Sequence, residues 1–526
     1  MRESATREVG VQESAAYGQR WWVLGVLSLS LLLISLDNTI LNVAIPPIQQ
    51  ALGATTAELQ WIIDSYVLVF AGLLLAAGAL GDRFGRRRAL LVGLALFGLS
   101  SLGAALSSTS QQLVIWRGLT GVGGALIMPA TLSLLTCVFP AHERPRAIGI
   151  WAGVSGVGIG LGPIAGGVLI EHFHWSSVFL INLPVAAAAL IAGRWLVPES
   201  RDPQTLPVDW VGTVVSTAGL GLLIYGIIEA PSIGWTHTRV LVTSGLGTAL
   251  LAAFATWEVR TPHPMIDIRF FRSARFTAAC LSVTMVFFAL FGSLFALTQL
   301  MQFVFGYSAL EAGVRLAPIA AATLAGSMLG GRLVSPLGAK RTVAIGLFIV
   351  AGGLLLFSQQ ADGGYPILLG SLLVIGGGMG LAIAPSTDAI MGSLPTAKLS
   401  VGSAMNDATR QVGGALGVAI LGSVLSSAYR ERVREALVGL PAQIAEPASD
   451  SLGAALAASR HLAGPAGQAL ANAARAAFID AVSFSVLVAS GVAFLGAVLA
   501  LVFLPARELR TQAEIDVAFM RSQSDR

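Results

Sequence analysis

Long apolar runs, separated by short polar turns, repeat along almost the whole chain, and nothing else in it constrains the fold so strongly. A helix needs about 20 such residues to cross the hydrocarbon core of a bilayer. Runs of that kind lie near 21–45, 59–80, 88–107, 112–138, 145–170, 177–197, 209–230, 239–258, 275–303, 312–334, 341–359, 366–392, 400–427 and 479–504, fourteen in all. Lipid offers the backbone no hydrogen-bond partner, so each run is expected to be a helix. Of the 526 residues, 55% are hydrophobic and only 11% are charged, against about a quarter charged in soluble domains. Mean hydropathy is +0.77. Even a large soluble domain hides only about three quarters of its unfolded surface, so the solvent for this much apolar surface is lipid. The 60 glycines suit helices whose backbones approach closely in a bilayer. Cys137 and Cys280 both stand inside apolar runs and read as small core hydrophobes rather than a disulfide framework.

Basic residues in the short loops set the orientation. Arg83, Arg86, Arg87 and Arg88 fall on one side, followed by Arg144, Arg146, Arg201, Arg260, Arg269, Arg272, Arg275, Arg332, Lys340, Arg341 and Lys398. The opposite loops, near 46–58, 107–111, 171–176 and 360–365, carry none. Both termini and the basic loops are expected in the cytoplasm, with no cleaved leader. The pI near 9.4 reflects these scattered arginines, and no nucleic-acid partner is expected.

The loop "GALGDRFGRRR", Gly78–Arg88, is echoed by "GGRLVSPLGAKR", Gly330–Arg341. The echo falls at the same place in two six-helix halves, as in transporters built from repeats. The expected organisation is a tail at 1–20, an N-terminal bundle at 21–197, an inserted helix pair with linkers at 198–274, a C-terminal bundle at 275–504, and a tail at 505–526. Within the C-terminal bundle a loop at 428–478 faces outside. There "SLGAALAASRHLAG" and "GQALANAARAAF" have high helix propensity and predict a hairpin of two short amphipathic helices over the outer mouth; a flexible solvated loop is the alternative.

Several motifs are familiar. "LDNTILNVAIP" in span 1, "GALGDRFGRRR" after span 2, "RGLTGVGGA" (Arg117–Ala125) in span 4 and "GVGIGLGPIAGG" (Gly156–Gly167) in span 5 resemble signatures of the major facilitator superfamily. With fourteen spans, the chain is similar to the 14-spanner drug:proton antiporter family of the QacA and EmrB type, and "WIIDSYVLVF", "FGYSALEAG" and "RQVGGALG" fit it too. There are departures. Thr120 stands where many members carry Gln, the second loop copy has Ser335 and Pro336 in place of the charged pair, and "HWSSVF" lacks the usual Arg. The resemblance implies an all-α integral membrane protein of the major facilitator fold with two inserted helices, in the bacterial cytoplasmic membrane, exporting lipophilic small molecules in exchange for protons as a monomer.

Ionisable groups inside spans are costly and mark function. Asp37 lies roughly 24 Å of helix rise beyond Trp21, at about 1.5 Å per residue. Burial raises a carboxylate's pKa and a nearby cation lowers it, so Asp37 can take and release a proton; the alternative is a permanent hydrogen bond at a helix break near Asn38 and Asn42. Asp64 reads as shallower, near the outer end of span 2, with Trp61 and Tyr66 close by. It is either a drug or proton site or a solvated rim carboxylate. Arg117 stays charged and needs a partner; the family fold, in which spans 1 and 4 line one cavity, implies that it tunes a carboxylate there. Asp407 and Arg410, three apart, share a helix face and make either a drug or proton site or an inner-gate salt bridge. Asp388 belongs to a gate or a helix cap. The candidate proton-coupling residues are therefore Asp37, Asp64, Arg117 and Asp407, and the candidate substrate contacts are Asp37, Asn42, Trp61, Asp64, Tyr66 and Asp407.

Gly78, Asp82, Arg83, Gly85, Arg86 and Arg87 form an expected cytoplasmic latch, with Asp82 capping a neighbouring helix and pairing with arginines across the bundle interface. The resemblance implies that Gly162, Pro163, Gly166 and Gly167 form a hinge and seal, with Pro163 removing a backbone bond, and Arg410 is a candidate for the gate. No metal-ligand spacing, P-loop or G-x-S-x-G turn is present in the sequence, so neither an enzyme nor an ATP-driven pump is expected. No cofactor is needed, and the proton gradient supplies the energy.

Overall fold

Thr55 and Ser308 each start a long helix in the same way. Each hydroxyl accepts from the backbone N–H three residues on, while Glu58 and Glu311 reach back to the N-cap nitrogen, a reciprocal capping box. Each of these helices is interrupted 30 residues after its cap, at Gly85 from Thr55 and at Gly338 from Ser308, where φ is +120° and +77°. Only glycine takes such backbone angles without a steric penalty. The echo between the two loops is therefore a repeat of structure: the same start and the same break, in two halves of the chain.

The computed structural model describes residues 18–140, 143–201, 208–262, 264, 268–359, 364–394, 399–462 and 465–505. Most of both expected tails, and Lys398, lie outside the described residues. The helices are α1 Arg20–Leu52, α2 Thr56–Phe84, α3 Arg86–Ala105, α4 Ser110–Val138, α5 Arg144–His172, α6 Ser177–Leu180, α7 Asn182–Leu196, α8 Trp210–Ile233, α9 Thr238–Arg260, α10 Ala274–Gln299, α11 Ala309–Ser358, α12 Gly364–Met391, α13 Leu399–Val433, α14 Ala442–Asp450, α15 Leu452–His461 and α16 Pro465–Phe503. A π-helical turn, Leu300–Val304, extends α10. Among the described residues, 12 helices are long and apolar enough to cross a membrane. Their outward faces carry Leu99, Ile115, Trp195, Leu324 and Phe494, an apolar surface of the kind lipid covers.

Helices α1–α7 pack on one another, as do α10–α16, and α8 and α9 pair with each other. The α8–α9 pair docks through α8 against both α2 and α13, so it bridges the seam between the halves. Hydrogen bonds that join the halves sit toward the end of the bundle away from the basic loops. Gln60 Nε2 donates to the carbonyls of Val418 and Ala419, each at 3.0 Å. Gln302 Nε2 donates to the Val43 carbonyl at 2.9 Å, and Thr56 Oγ1 to the Asp450 carbonyl at 2.8 Å.

Residues 428–478 differ from the expected loop. Helix α13 runs on to Val433, a 3-10 turn covers Arg434–Leu437, and α14 and α15 follow. "SLGAALAASRHLAG" contains α15, but "GQALANAARAAF" is the first part of α16, continuous with the last apolar run. Pro465 begins that helix, where a missing N–H costs nothing.

Candidate functional site

Asp37 and Arg117 face each other across α1 and α4. Arg117 Nη1 donates to Asp37 Oδ2 at 2.7 Å, with the two side chains only 1% and 2% exposed. Asn182, at the first position of α7, donates from Nδ2 to Asp37 Oδ1 at 2.8 Å and to Ser101 Oγ at 3.2 Å. Arg117 also donates from Nε to the Ile62 carbonyl of α2 at 3.2 Å, and its guanidinium carbon lies 4.5 Å from the centre of the Tyr66 ring. Tyr66 in turn stacks on Phe70, centroids 5.7 Å apart. Four helices thus converge on one ion pair. A buried pair needs this many partners, because desolvation otherwise outweighs the attraction.

Asp64 is fully buried, at 0% exposure, and neither carboxylate oxygen has a hydrogen-bond partner. It is therefore not a solvated rim residue. It shares the face of α2 that carries Gln60, one turn away, which reaches α13. A carboxyl group held dry without donors is completed by a proton or by a cationic partner.

The remaining candidates scatter. Asn42 turns back on its own helix, donating to the Asn38 and Thr39 carbonyls at 3.3 and 3.4 Å. Trp61 leaves the ion pair and meets Tyr225 of α8, centroids 6.0 Å apart. Asp407 and Arg410 are neighbours on α13, yet no ion pair joins them among the described residues. The Arg410 guanidinium instead lies 5.4 Å from the Phe287 ring centre, its Nε buried without a partner. The expected inner-gate salt bridge is therefore absent between these two residues.

The latch residues do come together, but with other partners. Asp82 accepts from Arg86 Nε at 2.7 Å, four residues along the chain rather than across an interface. Arg83 lies over its neighbour Phe84, 5.4 Å from the ring centre. A contact between elements of the N-terminal half is made by Glu199, which follows α7. Its carboxylate accepts from the Arg87 backbone N–H at 3.1 Å, capping α3, and lies 3.8 and 3.7 Å from Arg87 Nε and Arg88 Nε. The φ of Gly85 requires glycine, and a Cβ there would also lie 2.7 Å from Glu199 Oε1, so that carboxylate would have to shift. Gly78 rests beside Pro129 of α4. Near the other end, a Cβ on Gly162 would lie 3.1 Å from the Ile40 nitrogen, one on Gly166 3.0 Å from the Ile40 carbonyl, and one on Gly167 2.9 Å from the Leu310 nitrogen. Pro163 presents its carbonyl to Gly313. The glycine stripe of α5 thus lets α1 and α11 close on it at backbone distance.

Two residues escaped the sequence reading. Asn182 stands in an ordinary-looking "LINLPV", and Glu199 in a loop from which only Arg201 was read. An amide at the mouth of an apolar run was the one available signal for the first.

An all-helical, multi-pass bundle with paired halves and a dry ion pair inside it defines a membrane transporter. Residues 27–418 match the Major Facilitator Superfamily. The multidrug efflux pump LfrA of Mycolicibacterium smegmatis is 35% identical over 474 residues, 89% of this chain and 93% of that protein. The methyl viologen resistance protein SmvA of Salmonella typhimurium is 35% identical over 470 residues, 88% and 93%. The tetracenomycin C resistance and export protein of Streptomyces glaucescens is 35% identical over 425 residues, 80% and 79%. Among solved structures, a bacterial homolog to the human lysosomal transporter Spinster, in an inward-facing and unoccupied conformation, superposes with TM-score 0.66 at 18% identity, over 93% of this chain and 98% of that one. An auto-inhibited peptide transporter of the POT family gives 0.62 at 16% identity, over 94% and 98%. The chain belongs to the major facilitator superfamily, a family of transporters rather than enzymes, with relatives named for efflux of drugs and antibiotics.

Proposed function

We propose that this chain is a proton-coupled antiporter that exports lipophilic, cationic compounds by alternating access, of the 14-spanner drug:proton type. The observation that carries this reading is the pairing of two buried acids with opposite environments. Asp37 is held by Arg117 and Asn182, while Asp64 is dry and unpartnered. One carboxylate is then already satisfied, and the other accepts either a proton or a cationic substrate but not both. That competition is what obliges exchange. The hydrogen bonds and glycine contacts joining the halves away from the basic loops close one end of the route, and opening that seal while the basic-loop end shuts completes the cycle. Asp407 on α13 is the proposed second acid of the substrate path, with Tyr66 and Trp61 as aromatic contacts.

Fourteen crossings follow if α11, broken at Gly338, counts as two spans and the 29-residue α5 is added to the rest. With basic loops inside, both termini face the cytoplasm of a bacterium, in its inner membrane. The lipid bilayer and protons are partners, no nucleic acid or cofactor is needed, and one copy suffices. A second reading, export of one particular compound by the same machinery, is favoured by relatives named for single antibiotics, such as tetracenomycin C and puromycin.

Purified protein in proteoliposomes, under an imposed pH gradient, tests both. Ethidium moving uphill in wild type and not in Asp64→Asn supports drug antiport. Ethidium that stays put while a single antibiotic moves supports the second reading, and gradient-independent movement of either overturns proton coupling.

A further inference from the structure

Away from the ion pair, at the end of the bundle opposite the basic loops, the inserted helix α8 leaves a crevice of about 270 Å³ against α2, α13 and α14. Its wall includes Thr56, Glu58, Glu229, Ser426, Arg430 and Asp450. Arg430 is bonded to Asp450 and to the Ser232 carbonyl at 3.4 Å, so those two charges offset each other. Two carboxylates remain. Glu58 is fixed by neutral donors, with Ser110 Oγ and Gln111 Nε2 each at 2.6 Å and the Thr55 nitrogen at 2.9 Å, and no cation is paired with it among the described residues. Glu229 makes no side-chain bond among the described residues.

Ser426 points to a missing occupant independently of the acids. It is only 7% exposed and lines the crevice, yet its hydroxyl has no partner among the described residues. One turn further along both helices, beyond the residues that line the crevice, Trp61 and Tyr225 pair with centroids 6.0 Å apart. Arg239 is seated on the Tyr225 ring, 5.2 Å from its centre, and does not line the crevice.

We infer that this crevice is a second binding site, for a small monovalent organic cation such as a quaternary ammonium, held between the inserted helix and the transport bundle by Glu229, Glu58 and the Ser426 hydroxyl. It gives the inserted pair a part in handling substrate that the ion pair at Asp37 does not share. The inference extends the proposed cationic substrate class to a second place, but its chemistry stands without any transport step.

The test uses full-length protein in detergent micelles with Cys137→Ser, Cys280→Ser and Ser426→Cys. The new thiol is labelled with trimethylammonioethyl or sulfonatoethyl methanethiosulfonate, each rate normalised to that of a free small thiol. Two uncompensated carboxylates in a wet crevice should favour the cationic reagent about tenfold, and adding Glu229→Gln should cut that preference to about threefold. Tetraethylammonium should slow labelling, equally well when Asp37→Asn is also present. Equal normalised rates, no labelling by either reagent, or no protection by tetraethylammonium overturns the site. Protection that disappears with Asp37→Asn assigns the cation to the central pair instead, and leaves the proposed antiport standing.

Discussion

Removing one member of the Asp37–Arg117 pair should cost far more than removing both. Arg117→Leu strips Asp37 Oδ2 of its 2.7 Å partner and leaves the carboxylate only the Asn182 bond. Asp37→Leu leaves a guanidinium with the Ile62 carbonyl and the Tyr66 face. Breaking a buried pair from one side costs about 3–5 kcal/mol, whereas an apolar replacement of both is close to neutral. The double substitution should therefore be more stable than either single one, with a coupling of about 6 kcal/mol or more, the sum of the two single losses. Equilibrium unfolding of the four proteins in mixed micelles at pH 7, by helical circular dichroism, measures it. A coupling under about 0.5 kcal/mol, the ordinary additivity limit for independent sites, would refute the reasoning, because the two groups would then not share a dry contact.

Other outcomes follow from the same geometry. Asn182→Leu removes a charge-assisted bond to Asp37 worth about 1.5–3 kcal/mol and should lower the unfolding midpoint, while Asn182→Asp, which cannot donate when ionised, should not restore it; an unmoved midpoint in both would contradict the bond. Gly85→Ala, strained at φ +120° and set against Glu199, should lower the thermal midpoint and the transport rate, and Glu199→Ala in the same background should recover part of the loss. Burial raises the Asp450 carboxyl above its ordinary value of 3.8, with the Arg430 guanidinium only partly opposing it. A raised folded-state value means that the folded hairpin binds the proton more tightly. Hydrogen-exchange protection of 442–461 should therefore rise as pH falls from 7 through that raised midpoint, and Asp450→Asn should abolish the dependence.

The fold was readable because lipid leaves a chain few choices: an apolar run of sufficient length must be a helix. Even there, the boundary at 428–478 was misplaced. An alanine-rich segment such as 467–478 is equally good as a free helix or as the first turns of a longer one, and only packing decides. Asp37 and Arg117 were each legible as a charged group in hydrocarbon that needs a partner, but only the family resemblance pointed Arg117 toward a carboxylate of span 1 or 2. Asp64 was placed at a rim by its distance from the helix end, but neighbouring helices, not depth, determine whether water reaches it. Asn182 and Glu199 act through helices far apart in sequence, and neither residue type is unusual where it stands. The absent bond between Asp407 and Arg410 makes the same point from the other side, since a shared helix face permits an ion pair without requiring one.

The central claim is that a buried carboxyl gives up its proton when substrate arrives. Adding ethidium to purified protein in lightly buffered detergent solution, with a pH dye as readout, measures this directly. Wild type should release protons in proportion to substrate bound, and Asp37→Asn combined with Asp64→Asn should release none. Substrate binding with no proton release in wild type, or undiminished release in the double variant, contradicts the account.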